Sequence, residues 1–490
     1  MGLDMDHAVR LTPPRNTMRV QAFYERTLYV VAPGTVAAIM ILLRQDDVAK
    51  MIMVLVVLMA SGLFLWPNSA PMHLMPIAGT LLRLLAPVAG MAVVLAPGLV
   101  SPAWELKPDA VLAPLMGALV IVVMARFLEM RFDTGSPVRL ALIAPRELAL
   151  KLDGELRASR IRTFRLVGYI TVDDSPVDGR HAEDEMSWLG TLDDVRRIVE
   201  EHGVDLLAVG PESPRLHVFE EAAKTCLDLR VGMVEANAFY ESVLGHVPIG
   251  SINSAWFQCI MHPRFSPTSP LIKRVLDLAI TVPAGLFIGV PLLPFFALLI
   301  KLEDRGPILY HQKRVGEQGR EFNMLKFRTL RPDADALMRR GVPEAELVTR
   351  LGRFLRATHM NELPQLVNVV RGNMTIVGPR PEPPAVVEAL ERIVPYYERR
   401  GLVKPGLTGW AQVRCGYAGD PRGSAWKMCH DLFYVKQRSV TFDILIMLQT
   451  LHVLLEVPTE AYEGPHEEFT LGETASPAQQ LSRDTSPSLL

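Results

Sequence analysis

Residues 278–300 read LAITVPAGLFIGVPLLPFFALLI. Whether this segment crosses a membrane or only dips into it decides where the rest of the chain lies. By length and composition it is able to span a bilayer. However, Pro283, Pro291 and Pro294 fall inside it, and proline breaks or kinks a helix. Lys273 and Arg274 stand before it, and Lys301, Arg305, Lys313 and Arg314 stand after it. Positive charge on both flanks is the mark of a segment that enters and leaves by the cytoplasmic face. A re-entrant segment is therefore expected, kinked at Pro291. The alternative, a true span, would place everything after residue 301 outside the cell.

Towards the N-terminus lie four further apolar runs, at 28–43, 51–66, 75–96 and 110–125. They are expected to form four transmembrane helices within residues 28–130. Arg10, Arg15, Arg19 and Arg26 precede the first run, and Arg126, Arg131 and Arg139 follow the fourth. Both ends of the bundle are thus expected in the cytoplasm, residues 1–27 included. A cleaved signal peptide is not expected, because 27 residues precede the first run. The whole chain of 490 residues is 49% hydrophobic, with a mean hydropathy of +0.20, which suits a membrane protein. Its formal net charge of −2, from 51 basic and 53 acidic residues, gives no reason to expect nucleic-acid binding. Cys226, Cys259, Cys415 and Cys429 form no CxxC pair and read as free thiols in a reducing compartment.

Between 137 and 262 short apolar runs alternate with helical ones. VRLALIA (138–144) and RLVGYITVDD (165–174) read as strands. In GTLDDVRRIVEEHGVDLLAVG (190–210), Thr191 is placed to cap a helix, Gly203 to end it, and 204–209 to form the next strand. This alternation predicts a parallel, Rossmann-like α/β domain. The turn after its first strand reads APRELAL, without the glycines that let backbone approach a pyrophosphate. An architectural or regulatory role is expected ahead of nucleotide sensing.

Beyond the apolar segment the chain becomes basic and turn-rich. Lys326, Arg328, Arg371 and Arg380 are cations suited to phosphate oxygens. Glu362 and Glu382 are carboxylates able to hold a hard cation such as Mg2+. Taken singly, each reads as a solvated surface charge. Together, among glycine and proline turns and beside a membrane segment, they point to a phosphate-handling site.

Five pieces of this region carry a family resemblance: KRVLD (273–277), QKRVGEQGREFNMLKFRTL (312–330), ELPQLVNVVRGNMTIVGPRP (362–381), VKPGLTGWAQV (403–413) and DLFYVKQRSVTFDI (431–444). From Lys273 to about Leu455 the chain resembles the bacterial sugar transferases, the polyprenyl-phosphate sugar-1-phosphate transferases that begin exopolysaccharide and O-antigen assembly. The upstream layout resembles the long form of that family, and FYESVLGHVPI (239–249) is similar to a segment of its exopolysaccharide-associated branch. The resemblance implies a catalytic α/β-type domain over 270–457, anchored by a re-entrant helix, in a multi-pass protein of the bacterial inner membrane whose middle and catalytic domains face the cytoplasm. It implies a UDP-sugar and undecaprenyl phosphate as substrates and Mg2+ as cofactor; a homo-oligomer is compatible with the sequence, which does not fix the oligomeric state. It also implies phosphate or substrate contacts from Lys326, Arg328, Arg380, Gln312, Arg314 and Gln412. Lys273 and Arg274 would sit at lipid headgroups, with Pro291 keeping the helix break, although valine replaces the serine that usually precedes it.

In the family an Asp-Glu pair starts a helix, and its aspartate attacks the donor's phosphate. Here that pair is Asn361-Glu362 within HMNELPQL (359–366). A carboxamide is a poor nucleophile towards phosphorus. Glu362 is accordingly the expected catalytic carboxylate and metal ligand, with Asn361 orienting the phosphate. His359 as nucleophile, and a catalytically silent membrane scaffold, are the competing readings. FDILIMLQTLHVLLE (442–456) is too short to span and reads as an amphipathic helix. The Ser/Pro/Thr-rich tail over 463–490 is expected to be disordered.

Overall fold

The computed structural model describes residues 137–158, 163–172, 187–210, 218–248, 269–415 and 421–455. The four apolar N-terminal runs, the segment before them and the tail beyond 463 lie outside these residues. The chain divides into two compact units at Ser251–Ile252, and each is described by itself.

The first unit is a five-stranded sheet of order β3-β2-β1-β4-β5, with β1 Val138–Ile143, β2 Phe164–Thr171, β3 Trp188–Thr191, β4 Leu206–Val209 and β5 Gly232–Glu235. Every pairing is parallel, and helices α1 (Arg146–Ala158), α2 (Val195–His202) and α3 (Val218–Thr225) connect the strands. In β1 successive side chains point to opposite faces. Leu140 and Leu142 join one apolar cluster with Leu152 and Phe239, while Ala141 and Ile143 join another with Ile198 and Val218. That two-sided burial explains why VRLALI reads as a continuous apolar run rather than an alternating one. Asp194 closes a capping box with Thr191, and Gly203 ends α2 at φ 56°, a left-handed cap that suits glycine. The doubly wound sheet is the expected Rossmann-like one. The glycine-free turn leads into α1 with Glu147 in its first turn, a carboxylate where a pyrophosphate would need the helix end clear.

The second unit begins with one long helix, α4 (Pro270–Asp304), whose mean hydropathy is 2.1 over its most apolar stretch. Pro270 occupies the first turn, where it costs no hydrogen bond. The middle of α4 widens into a π turn over Gly285–Gly289, immediately before Pro291. A π turn is a recognised cause of a bend and accommodates a ring that cannot continue the regular ladder. Leu286, Phe287 and Val290 there are 58%, 77% and 61% exposed.

Both ends of α4, by contrast, are held by the rest of the unit. Asp277 is buried and accepts from Thr375 Oγ1 at 2.7 Å and from Ile376 N at 3.1 Å. At the far end Phe296 and Ile300 pack on Phe327 and Leu355. A hairpin follows, β6 (Leu309–Val315) antiparallel to β7 (Glu321–Phe327). Next come α5 (Arg350–Ala357), α6 (Gln365–Arg371), β8 (Thr375–Val377), α7 (Pro384–Glu391) and β9 (Gly406–Thr408), with β8 and β9 parallel. The unit closes with α8 (Trp410–Cys415), α9 (Pro421–Gln437) and α10 (Val440–Leu455), gathered around Trp410, Phe433 and Phe442. Helix α10 buries Phe442, Leu445 and Ile446 and leaves the apolar Leu451 and Val453 exposed, so it is apolar on both sides rather than the amphipathic helix expected from the sequence.

Candidate active site

Between α5 and α6 the chain makes a tight turn. His359 takes a left-handed conformation (φ 57°), and Met360–Glu362 form one 3-10 turn. A non-glycine residue with positive φ is uncommon and is retained where surrounding structure demands it. The turn presents Glu362 to two cations. Arg380 Nη2 donates to Glu362 Oε1 at 3.1 Å, and Lys326 Nζ lies 3.6 Å from the same oxygen. Lys326 comes from β7 and Arg380 from the loop after β8, so the hairpin, the turn and the loop each supply one group.

The electrostatics follow from this packing. Burial pushes the Glu362 carboxyl up, but Arg380 and Lys326 outweigh it and hold the group below its usual value. Burial, with Arg380 and Arg314 nearby, brings Lys326 down to about 8 in spite of Glu362. The site therefore holds an ionised carboxylate between two cations with one oxygen, Oε2, unclaimed by either. Asn361 is half-buried beside it, and among the described residues its carboxamide makes no hydrogen bond.

Arg314 and Gln312 on β6 form the neighbouring layer. Arg314 Nη2 donates to Gln312 Oε1 at 2.7 Å, and its Nη1 donates to the Pro381 carbonyl at 2.9 Å and to Glu382 Oε2 at 3.3 Å. Together they brace the loop that carries Arg380.

Four expected contacts are placed elsewhere. Arg328 is buried and paired with Asp304 at the end of α4. Gln412 donates to the Leu407 carbonyl at 3.4 Å, and no hydrogen bond among the described residues joins it to Glu362. Lys273 and Arg274, expected at lipid headgroups, hold α4 to the protein instead. Lys273 Nζ lies 2.6 Å from Asp443 Oδ2 and donates to the Val377 carbonyl at 2.9 Å. Arg274 donates from both Nη atoms to the carbonyls of Val369 and Val370 at the end of α6, each at 2.6 Å, and the Val369 carbonyl also accepts from Gly372 N at 3.0 Å. The physical reason is common to both: α4 starts against the domain, so its first cations meet carbonyls and a carboxylate before they meet solvent.

A network that sequence reading passed over lies behind Arg380. Arg400 donates to the Arg380 carbonyl at 2.9 Å and to Tyr397 Oη at 2.5 Å, and its Nη2 is 2.7 Å from Asp431 Oδ2. Asp431 is 1% exposed, and burial lifts its carboxyl to about 6 even beside Arg400. Arg356, on α5, bonds Thr329 Oγ1 at 2.9 Å and Glu344 at 2.7 Å. An acid inside the apolar run HDLFYV (430–435) was the available signal for the first network; nothing comparable marks Arg356.

For Mg2+, the cluster offers Glu362 Oε2. Mg2+ commonly keeps several waters and takes one or two carboxylates with substrate phosphates, so these residues fit a cation held mainly by a pyrophosphate.

Fold and site thus define an α/β protein with an ionised, cation-clamped carboxylate beside a long apolar helix. A family model described as bacterial sugar transferase matches residues 268–457. The undecaprenyl-phosphate glucose phosphotransferase of Komagataeibacter xylinus is 30% identical over 430 residues, 83% of this chain and 78% of the relative. The chain belongs to the bacterial sugar transferase family. The UDP-N-acetylgalactosamine-undecaprenyl-phosphate N-acetylgalactosaminephosphotransferase of Aeromonas hydrophila is 34% identical over 239 residues, 48% of this chain, and the match spans about half (55%) of that relative's length. The UDP-glucose:undecaprenyl-phosphate glucose-1-phosphate transferase of Caulobacter vibrioides is 42% identical over 193 residues, 38% of this chain and 70% of the relative.

Proposed function

We propose that the protein transfers a hexose 1-phosphate from a UDP-sugar to undecaprenyl phosphate, releasing UMP, as the first step of an exopolysaccharide repeat. The observation that carries this reading is the Glu362 carboxylate held by Lys326 and Arg380. A silent scaffold has no use for a half-buried ionised acid and two cations converging on it, whereas attack on phosphorus uses all three. The names of the relatives support the substrates.

In this scheme Lys326 and Arg380 take up the donor's pyrophosphate oxygens. Glu362 Oε2 attacks the phosphorus bonded to the sugar, the P–O bond to UMP breaks, and an acyl phosphate carrying the sugar forms. An oxygen of undecaprenyl phosphate then attacks the same phosphorus and Glu362 leaves as carboxylate. Asn361 donates a hydrogen bond to a phosphate oxygen during both steps. Bound Mg2+ would neutralise part of the pyrophosphate charge.

The exposed middle of α4, together with both of its ends docked on one domain, supports a helix that dips into the cytoplasmic leaflet of the inner membrane.

The test is UMP release by the purified protein in detergent, with undecaprenyl phosphate, Mg2+ and a panel of UDP-sugars. Wild type is expected to turn over at least one sugar, and Glu362→Gln to lower kcat by about 10^3-fold or more. Silence of the wild type on every sugar, with turnover restored by Asn361→Asp, would replace this reading with a disarmed scaffold.

A further inference from the structure

Arg380 is the more exposed cation of the clamp. Its side chain is 42% exposed against 16% for Lys326, so packing alone does not fix its direction. The backbone beneath it does. Pro379 and Pro381 stand on either side, and a proline fixes φ but brings no N–H. The loop is therefore held largely by its carbonyls. That of Val377 accepts from Lys273 Nζ at 2.9 Å and from Tyr434 Oη at 2.8 Å. Those of Pro379 and Pro381 accept from Gly406 N and Arg314 Nη1, each at 2.9 Å. The carbonyl of Arg380 itself accepts from Arg400 Nη2 at 2.9 Å.

Arg400 lies on the 3-10 turn Tyr397–Leu402. Tyr396, just before it, has φ 61°, a conformation that a bulky residue keeps only where its surroundings demand it. The guanidinium is fixed twice more, by Tyr397 Oη at 2.5 Å and by Asp431 Oδ2 at 2.7 Å. Asp431 and Tyr434 stand three residues apart on α9, hence on one face. One helix thus backs the loop directly at Val377 and, through Arg400, at Arg380. Asp431 is too deeply buried to meet a substrate, and a buried ion pair often adds no net stability over apolar residues of its size. Neither substrate contact nor stability accounts for the pair. A fixed direction does.

We propose that Asp431 and Arg400 are positioning residues, which aim Arg380 at the donor's phosphates and act on them only through it. The proposal rests on the sugar-phosphate transfer reading. When phosphate oxygens compete with Glu362 Oε1 for the Arg380 guanidinium, that side chain loses a restraint. The grip on its carbonyl then sets where it can reach. A misplacement of about 1 Å at such a point costs up to about 10^2-fold in rate.

The experiment is a double-mutant cycle on the full-length protein in detergent. Equilibrium binding of inorganic pyrophosphate and kcat/KM on the UDP-sugar panel are its two separate readouts. Arg380→Ala is expected to weaken pyrophosphate binding about tenfold, and Arg400→Met about fivefold. In the Arg380→Ala background, Arg400→Met is expected to change binding by less than about twofold, because the residue it acts through is gone. Asp431→Asn and Tyr397→Phe keep the shape and remove a charge or a hydroxyl. They are expected to follow the same pattern, and they serve where Arg400→Met fails to fold. Equal losses in both backgrounds would overturn the proposal, since Arg400 would then touch the ligand or act on the fold at large. So would lowered thermal midpoints with pyrophosphate binding unchanged, the mark of a purely structural pair. Coupling in pyrophosphate binding without turnover of any sugar overturns the transfer reading alone. Turnover without coupling overturns the positioning role alone.

Discussion

At the scale of single residues, an amide, Asn361, stands directly before the clamped carboxylate of Glu362. Asn361 adds no charge, so Lys326 and Arg380 act on Glu362 alone and the cluster carries one net positive charge before substrate binds. That surplus suits a pyrophosphate. The lysine sets a limit. Lys326 titrates at about 8, so activity is expected to fall on an alkaline limb near that pH as the cation is lost. Lys326→Arg should move the limb out of range, with the pH profile of kcat/KM as the measurement. The stability effect has the opposite sense. With its value lowered from 10.5 to about 8, the folded chain binds fewer protons at Lys326 than the unfolded chain between those pH values. Its contribution to stability therefore rises with pH across that window.

The same scale shows what sequence can and cannot disclose. Glu362, Lys326 and Arg380 were legible because their neighbours made a pattern. Arg328 was not separable from Lys326 by sequence: Lys326 lies on β7 and Arg328 directly follows that strand, two residues on, and only the end of α4 gives Arg328 Asp304 for a partner. Arg399 and Arg400 are adjacent and alike in composition, yet Arg400 is the one that holds the Arg380 carbonyl. Burial decides these cases, and burial comes from contacts far along the chain.

At the scale of elements, β1 and α2 were readable from periodicity and caps, since their determinants are local. Helix α4 was readable as apolar and proline-bearing; it runs unbroken from Pro270 to Asp304, with Pro283 and Pro291 on either side of the π turn at Gly285–Gly289. Its attachment was not readable. Asp277 looks like a stray acid at the edge of an apolar helix, but it is buried and accepts from Thr375 and Ile376, about a hundred residues on. Asp277→Ala leaves that hydroxyl and that amide without a partner and is expected to cost about 2–4 kcal/mol, measurable as a lowered thermal midpoint in detergent. An unchanged midpoint would mean that the contact contributes nothing to holding the helix.

At the scale of the whole molecule, the decisive expectation concerns sidedness. Single cysteines placed at Ser269 and Glu303, the two ends of α4, are expected to react with a membrane-impermeant maleimide from the cytoplasmic side alone, in inverted vesicles and not in intact cells. Labelling of Glu303→Cys from outside would make α4 a true span and remove the catalytic unit from the nucleotide pool.

The Lys273–Asp443 contact also bears on the order in which the molecule is made. Its two partners are 170 residues apart, and at about 5–20 residues per second a ribosome takes on the order of ten to thirty seconds to deliver the second after the first. Within that interval α4 is finished at Asp304 and the Val377 carbonyl follows it, while the carboxylate partner of Lys273 has yet to be made. The latch is thus the last part of α4's attachment to close, and the catalytic unit completes its assembly on a helix already made.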